Sequence, residues 1–201
     1  MMMKKLFILL FIVMPFMSDG QVLPKPSGKY PTGVRSFNLT DFSRADSALK
    51  QHREIPVRVW YPASAKAGQQ MAYVPSGLNE ALRKGSYAHL DSQSLSMLSG
   101  LKTNSIPDAA PAKVNRKFPV VLFSPGWGMA TFSYTALIED LVSRGMIIIA
   151  MDNLYCGPAR LADGRIITQK DYPYVTYIPY LQSAADDSRF VISSLLAGVK
   201  E

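Results

Sequence analysis

The sequence predicts an α/β domain in which parallel β-α-β units follow an antiparallel strand pair. Three observations carry this. Val120-Val-Leu-Phe123 and Met146-Ile-Ile-Ile-Ala-Met151 are continuous apolar runs of strand length, the pattern of strands buried on both faces. Between them, Leu137, Ile138, Leu141 and Val142 recur at helical spacing. Upstream, Ile55-Pro-Val-Arg-Val-Trp-Tyr61 alternates β-branched and aromatic residues and is closed by Pro62. Strand, helix and strand within about 35 residues imply a right-handed parallel crossover.

The elements follow in order. Residues 1–20 read as a signal peptide: Lys4 and Lys5 precede an apolar stretch from Leu6 to Met14, and small residues Ser18 and Gly20 lie just before Gln21. The stretch is too short to span a bilayer, and no cysteine near the cleavage point offers a lipid anchor. The expected location is periplasmic or extracellular, with no stable membrane anchor. Residues 21–32 form an extended lead-in, their prolines too closely spaced for a helix. Residues 33–201 hold the α/β unit.

Within that unit Gly33 to Leu39 is a first strand and Ile55 to Tyr61 a second, pairing antiparallel at one side of a sheet. Pro56 favours a sheet edge or a first strand position, because it has no N–H to donate. Residues 63–117 lack periodicity apart from short helices near Leu78–Leu82 and Ser92–Leu101; loop-rich stretches of this length are usually functional or mobile. Ser133 is a candidate N-cap for the crossover helix and Gly145 its C′ glycine. Asp163-Gly164, between Leu161 and Ile166-Ile167, marks a hairpin-like turn. A last helix carries Val191, Ile192, Leu195, Leu196 and Val199 as one stripe, with Ser183 and Asp186 at capping-box spacing.

Charge narrows the function classes. The net charge is +7, divided as 16 Lys+Arg against 7 Asp+Glu in residues 1–117 and 6 against 8 in residues 118–201. The basic residues are scattered among Pro and Ser rather than aligned on a helix face, so no nucleic-acid partner is expected. One cysteine, Cys156, excludes an internal disulfide, and no cluster of metal-ligand type occurs.

The chemistry concentrates in Phe118-Pro-Val-Val-Leu-Phe-Ser-Pro-Gly-Trp-Gly128. A buried strand flows into a Pro-Gly-x-Gly turn and then a helix. Such a turn either presents backbone N–H groups to a developing oxyanion or simply reverses the chain. Together with Arg53-Glu-Ile-Pro-Val-Arg-Val-Trp-Tyr-Pro62 and the Leu141 to Tyr155 segment, it resembles the α/β-hydrolases, and more narrowly the platelet-activating factor acetylhydrolase group and related bacterial esterases. The resemblance runs from about Gly33 to the end. It implies that the backbone N–H of Trp127 is one oxyanion donor, with Gly126 and Gly128 shaping the turn. It also implies a small-molecule or lipid ester substrate and serine chemistry without a cofactor.

Other parts of that pattern do not occur in these residues. There is no Gly-x-Ser-x-Gly, and His52 and His89 precede the oxyanion strand, whereas this fold orders its triad Ser, acid, His. Nucleophile, acid and base are therefore expected outside the chain. Asp152 reads as a loop-ordering carboxylate and Cys156 as a passive thiol. Tyr155, Tyr174 and Tyr177 are candidates for a substrate pocket; Tyr172 and Tyr180 belong to the same aromatic cluster, which packing on the core explains equally.

Two function classes follow. One is an exported carboxylic-ester hydrolase of which these residues form the N-terminal half, inactive alone and either completed downstream or by a second polypeptide. The other is a non-catalytic binding or interaction protein that retains half of the fold. On the first reading the sheet ends on Val120-Val-Leu-Phe123, an apolar edge that predicts poor solubility or a molten state for the isolated chain.

Overall fold

The computed structural model describes residues 22–64, 68–83, 87–169 and 177–198. The expected signal peptide, Tyr172 and Tyr174 lie outside them, as does the side chain of Tyr177. The elements are β1 (Thr32–Asp46), β2 (Gln51–Pro62), α1 (Asn79–Leu82), α2 (Ser92–Gly100), β3 (Ser105–Pro107), β4 (Val120–Phe123), α3 (Thr135–Ser143), β5 (Ile147–Met151), β6 (Ala159–Arg160), β7 (Ile166–Ile167) and α4 (Tyr177–Gly198).

Five strands form one mixed sheet in the order β3-β1-β2-β5-β4. β1 and β2 pair antiparallel, with Val34 opposite Trp60 and an irregularity between Asp41 and Ala45. β2 then pairs antiparallel with β5 from Val57↔Met151 to Trp60↔Ile148. β4 and β5 are parallel, with Val120 opposite Ile147, as the crossover through α3 requires. β2 is therefore a central strand, not the edge that Pro56 suggested. The Pro56 carbonyl accepts the Asp152 N–H at 3.1 Å, so its missing N–H faces the end of β5 and costs the β1 ladder nothing.

Two helices cover the sheet, and β5 shows why. Successive side chains on a strand point to opposite faces. Ile148 and Ala150 pack with Val34 and Trp60 against Ile138 and Val142 of α3. Ile149 and Met151 pack with Ile55 and Val57 against Val191 and Leu195 of α4. Each large apolar side chain so buried contributes roughly 1.5–3 kcal/mol. β4 has similar composition but a different fate. Val120 is 59% and Val121 39% exposed, because no strand among the described residues pairs with the outer edge of β4.

The helix termini differ from expectation. A 3-10 turn, Thr131–Tyr134, precedes α3, so the N-cap is Tyr134 and Ser133 caps nothing. Gly145 does close α3, at φ +97°, donating its N–H to the Val142 carbonyl at 2.9 Å. α4 begins at Tyr177, which places Pro179 in its tolerated first turn and Ser183 in its interior. Asp186 instead accepts from Arg189 at 2.8 Å. The helix does not bury the whole expected stripe: Val191 is fully buried, whereas Ile192 is 44% and Leu196 61% exposed.

A buried ion-pair network sets that rotation. Asp187 accepts from Arg53 at 2.7 Å and from Arg44 at 2.7 Å; Arg53 also reaches Asp46 at 2.8 Å, and Arg44 reaches Asp41 at 2.6 Å. With Asp187 turned to the sheet, Val191 and Leu195, at four-residue steps, must follow it inward. The predicted turn at Asp163-Gly164 closes the β6–β7 hairpin, with Gly164 at φ +89°. Upstream of β1, the lead-in runs extended across the end of α3, where Ser27 N–H meets Asp140 and Gly28 N–H meets Ser143 Oγ, both at 2.8 Å.

Candidate active site

The Pro-Gly-x-Gly turn lies at the carboxyl end of β4, beside the carboxyl end of β5. This is the end of an open α/β sheet where ligands bind. Met129 donates its N–H to the Gly126 carbonyl at 3.0 Å. Gly126, Trp127, Gly128 and Met129 are therefore the four residues of a β-turn. Gly128 sits at its third position with φ +81°, the pattern of a type II turn, and only glycine takes that conformation without strain. Trp127 occupies the outer second position, with 37% of its surface exposed. Its ring meets Tyr180 edge-on, with centroids 4.7 Å apart.

The backbone around Trp127 is held from several directions. Gly126 N–H donates to the Tyr134 hydroxyl at 3.4 Å, and Gly128 N–H to the Cys156 sulfur at 3.3 Å. Ala130 N–H donates to the Tyr87 hydroxyl at 3.2 Å, and Thr131 N–H to Asp152 Oδ1 at 2.7 Å. Ser133, rather than capping α3, bonds the same Tyr87 hydroxyl. Below the turn Gly157 passes so close that a Cβ on it would lie 2.3 Å from the Met129 carbonyl oxygen. These bonds and the close approach of Gly157 hold the backbone of the turn in one arrangement.

Asp152 thus performs the loop-ordering expected of it. Cys156 is fully buried; besides the Gly128 contact, its thiol lies 3.6 Å from the Gly126 carbonyl. Tyr180 continues the floor. Its hydroxyl accepts from Asn153 Nδ2 at 3.1 Å, and Asn153 also donates to Ser124 Oγ at 2.7 Å. Burial and the neighbouring Cys156 sulfur push the Tyr180 phenol well above its ordinary pKa, so it stays neutral.

Of the candidate pocket tyrosines, Tyr155 is buried, bonds Asp46 through its hydroxyl and stacks on Arg53 at 5.6 Å. It belongs with the ion-pair network rather than the surface of the turn. His52 is exposed and packs on Phe42. His89 is exposed at the rim of a 290 Å³ cavity that Tyr73, Tyr87, Met129, Phe132 and Ser133 line beside the turn. Tyr87 and Tyr134 went unrecognised in the sequence. Tyr87 lies in the aperiodic stretch, where nothing indicates which loop residue folds back on the turn. Tyr134 follows the turn closely, and only its spacing from Gly126 hints at the contact.

Comparisons with known proteins give the family and the fold. Residues 16–154 match the family described as platelet-activating factor acetylhydrolase, isoform II. The chain belongs to that family. A platelet-activating factor acetylhydrolase of Cavia porcellus is 25% identical over 136 residues, covering 65% of this chain and 28% of that protein. A probable 1-alkyl-2-acetylglycerophosphocholine esterase of Arthroderma benhamiae is 25% identical over 198 residues, covering 87% of this chain and 49% of its own length. Among solved structures, a ferulic acid esterase from Streptomyces cinnamoneus superposes with a TM-score of 0.70 at 32% identity, over 86% of this chain and 48% of its own. The fold is that of an α/β-hydrolase esterase, and the chain spans about half or less of the length of each of these relatives.

Proposed function

We propose that this chain supplies the oxyanion-loop half of an exported carboxylic-ester hydrolase that uses a serine nucleophile. The observation that carries the reading is the pre-ordered Gly126-Trp127-Gly128 turn at the carboxyl end of β4. In it, the Trp127 N–H is assigned to the developing oxyanion, and one such donor is typically worth ~3–4 kcal/mol of transition-state stabilisation. The cavity lined by Tyr87, Met129 and Phe132 offers the adjoining acyl group an aromatic wall. Substrates of this class are small acyl esters, including the acetyl-glycerolipid esters named for its relatives. The attacking serine, the acid and the histidine come from sequence outside these 201 residues, so the chain alone is assigned no turnover.

The test is the DNA that follows the Glu201 codon, together with hydrolysis of p-nitrophenyl acetate by the polypeptide it encodes. The expected result is a strand leading into Gly-x-Ser-x-Gly, in frame or after one frameshift, and an activity lost when that serine becomes alanine. Unrelated sequence there, with acyl esters untouched by every chain the locus expresses, would sink the esterase reading and leave a binding module.

A further inference from the structure

β2 carries two arginines five residues apart that the fold treats in opposite ways. Arg53 is saturated by Asp46 and Asp187. Arg58 has no carboxylate within ion-pair distance among the described residues. Its Nε donates to Ser36 Oγ at 3.1 Å, and its guanidinium carbon stands 5.3 Å from the centre of the Trp60 ring. Its Nη1 is shielded from solvent and has no hydrogen-bond partner. A buried cationic donor left unmatched costs more than a neutral one, so such a group in a settled fold calls for an explanation.

The surroundings of Arg58 supply one. The residue lines a 420 Å³ cavity with Ser36, Asn38, Leu78, Asp152 and Arg160. Met71, Leu78 and Leu161 give the same cavity apolar lining, while the side chains of Phe37 and Val57 turn to the α4 face of the sheet. The carboxylates nearby have hydrogen bonds of their own and none forms an ion pair with Arg58 among the described residues. Asp152 Oδ1 accepts the Thr131 N–H at 2.7 Å, and Glu54 accepts from Asn38 Nδ2 and from the Ala162 N–H. Arg160 is exposed at the rim and donates to the Ser76 carbonyl at 3.2 Å, keeping a second positive charge at the mouth. Burial lowers the pKa of Arg58 below its ordinary value, and the charge of Asp152 opposes that shift. A guanidinium starting from so high a value remains a cation at neutral pH.

We propose that this cavity is a binding site for a small organic acid, whose carboxylate pairs with Arg58 and whose apolar body lies against Met71, Leu78 and Leu161. An anion without an apolar body leaves most of the cavity unfilled, and a neutral body leaves Nη1 unmatched. Carboxylate on guanidinium is the pairing that geometry and charge favour most. The site stands apart from the Trp127 turn and shares with it only Asp152, whose other neighbour is Thr131. It does not depend on the ester-hydrolase reading, and its test needs no turnover.

Trp60 and Trp127 are the only two tryptophans, so Trp127→Phe leaves Trp60 beneath Arg58 as the sole indole reporter. In that background, Trp60 emission is titrated with cyclohexanecarboxylate, cyclohexylmethanol, acetate and inorganic phosphate, and the same samples are unfolded in urea. The expected result is saturable binding of cyclohexanecarboxylate, at least tenfold tighter than any of the other three. Adding Arg58→Met should abolish that preference while leaving the ligand-free urea midpoint unchanged or raised, since the shielded, unmatched Nη1 is removed. Equal binding of the alcohol or of phosphate, no saturable response to the acid, or retention of the preference in Arg58→Met would overturn the proposal. So would a large drop in the urea midpoint of Arg58→Met, which would make Arg58 a structural residue.

Discussion

Cys156 Sγ accepts the Gly128 N–H at 3.3 Å and lies 3.6 Å from the Gly126 carbonyl, so one buried thiol ties down both glycines that flank Trp127. The contact turns a residue that invites a redox reading into a fastening. Cys156→Ala should cost about 1–2 kcal/mol in urea unfolding, from the unmatched N–H and the vacated space. Cys156→Ser, which restores an acceptor, should cost less. The native thiol should also resist a disulfide reagent such as DTNB and react promptly once urea exposes it, because none of its surface is accessible.

The turn geometry allows the Trp127 N–H to be removed without removing the turn. Proline is favoured at the second position of a type II turn. In the catalytically complete protein, Trp127→Pro should lower kcat by about 10²–10³ with little change in KM, as loss of one oxyanion donor does elsewhere. Trp127→Ala keeps the N–H and should retain most of kcat. Similar losses in both variants would assign the role to the indole instead.

Asp187 holds α4 to the β1–β2 hairpin through Arg53 and Arg44, and it is 2% exposed. Asp187→Ala leaves buried Arg53 with Asp46 alone of its two carboxylates and should destabilise the fold by about 3 kcal/mol. Replacing both members, as in Arg53→Met with Asp187→Leu, should recover only part of that, because Asp46 then loses Arg53. The comparison of single and double variants by chemical denaturation measures the pair apart from its packing.

Asp41 gives the network a dependence on pH. Burial alone would raise its carboxyl pKa, but hydrogen bonds from Ser43 and Arg44 outweigh it and hold the value below the ordinary 3.8. A carboxylate depressed in the folded state contributes stability that is complete above its unfolded pKa and lost as pH falls through the folded one. Urea midpoints should therefore drop below about pH 4. The drop should be smaller in Asp41→Asn, which lacks the titrating group. An identical acid profile in the variant would remove Asp41 from the account.

The outer edge of β4 presents Val120 and Val121 with no strand paired to it among the described residues, a template for association between chains. Val120→Lys should reduce self-association of the chain, read as light scattering against concentration, without shifting its unfolding midpoint. Unchanged scattering would place the sticky surface elsewhere, with the exposed Ile192 and Leu196 of α4 the next residues to change.

The β4–α3–β5 crossover and the Asp163-Gly164 hairpin were readable because each is written locally, in apolar runs, helical spacing and a glycine at positive φ. Central placement of β2 was not, because Pro56 argues for an edge and only the position of the β5 terminus removes that objection. Ser133 and Ser183 have the chemistry of caps, yet a 3-10 turn absorbs the first and the helix begins six residues before the second. Capping preferences cannot reveal such competition. At the site, Trp127 and its glycines were legible from their own spacing. The Tyr87, Tyr134 and Cys156 supports were not, since each acts through a contact that exists only after the chain has closed on itself.

The pairing of β2 with β5 has a consequence for how the molecule comes into being. Val57 and Trp60 find their partners Met151 and Ile148 roughly ninety residues later in the chain, a long loop to close before the contact rewards it. On the ribosome, the β1–β2 hairpin emerges with the Trp60 face uncovered and stays so until β5 follows. An aromatic, β-branched surface kept waiting in that way is what chaperones hold. Synthesis speed and holding capacity, more than final stability, should therefore govern how much of this chain reaches its folded form.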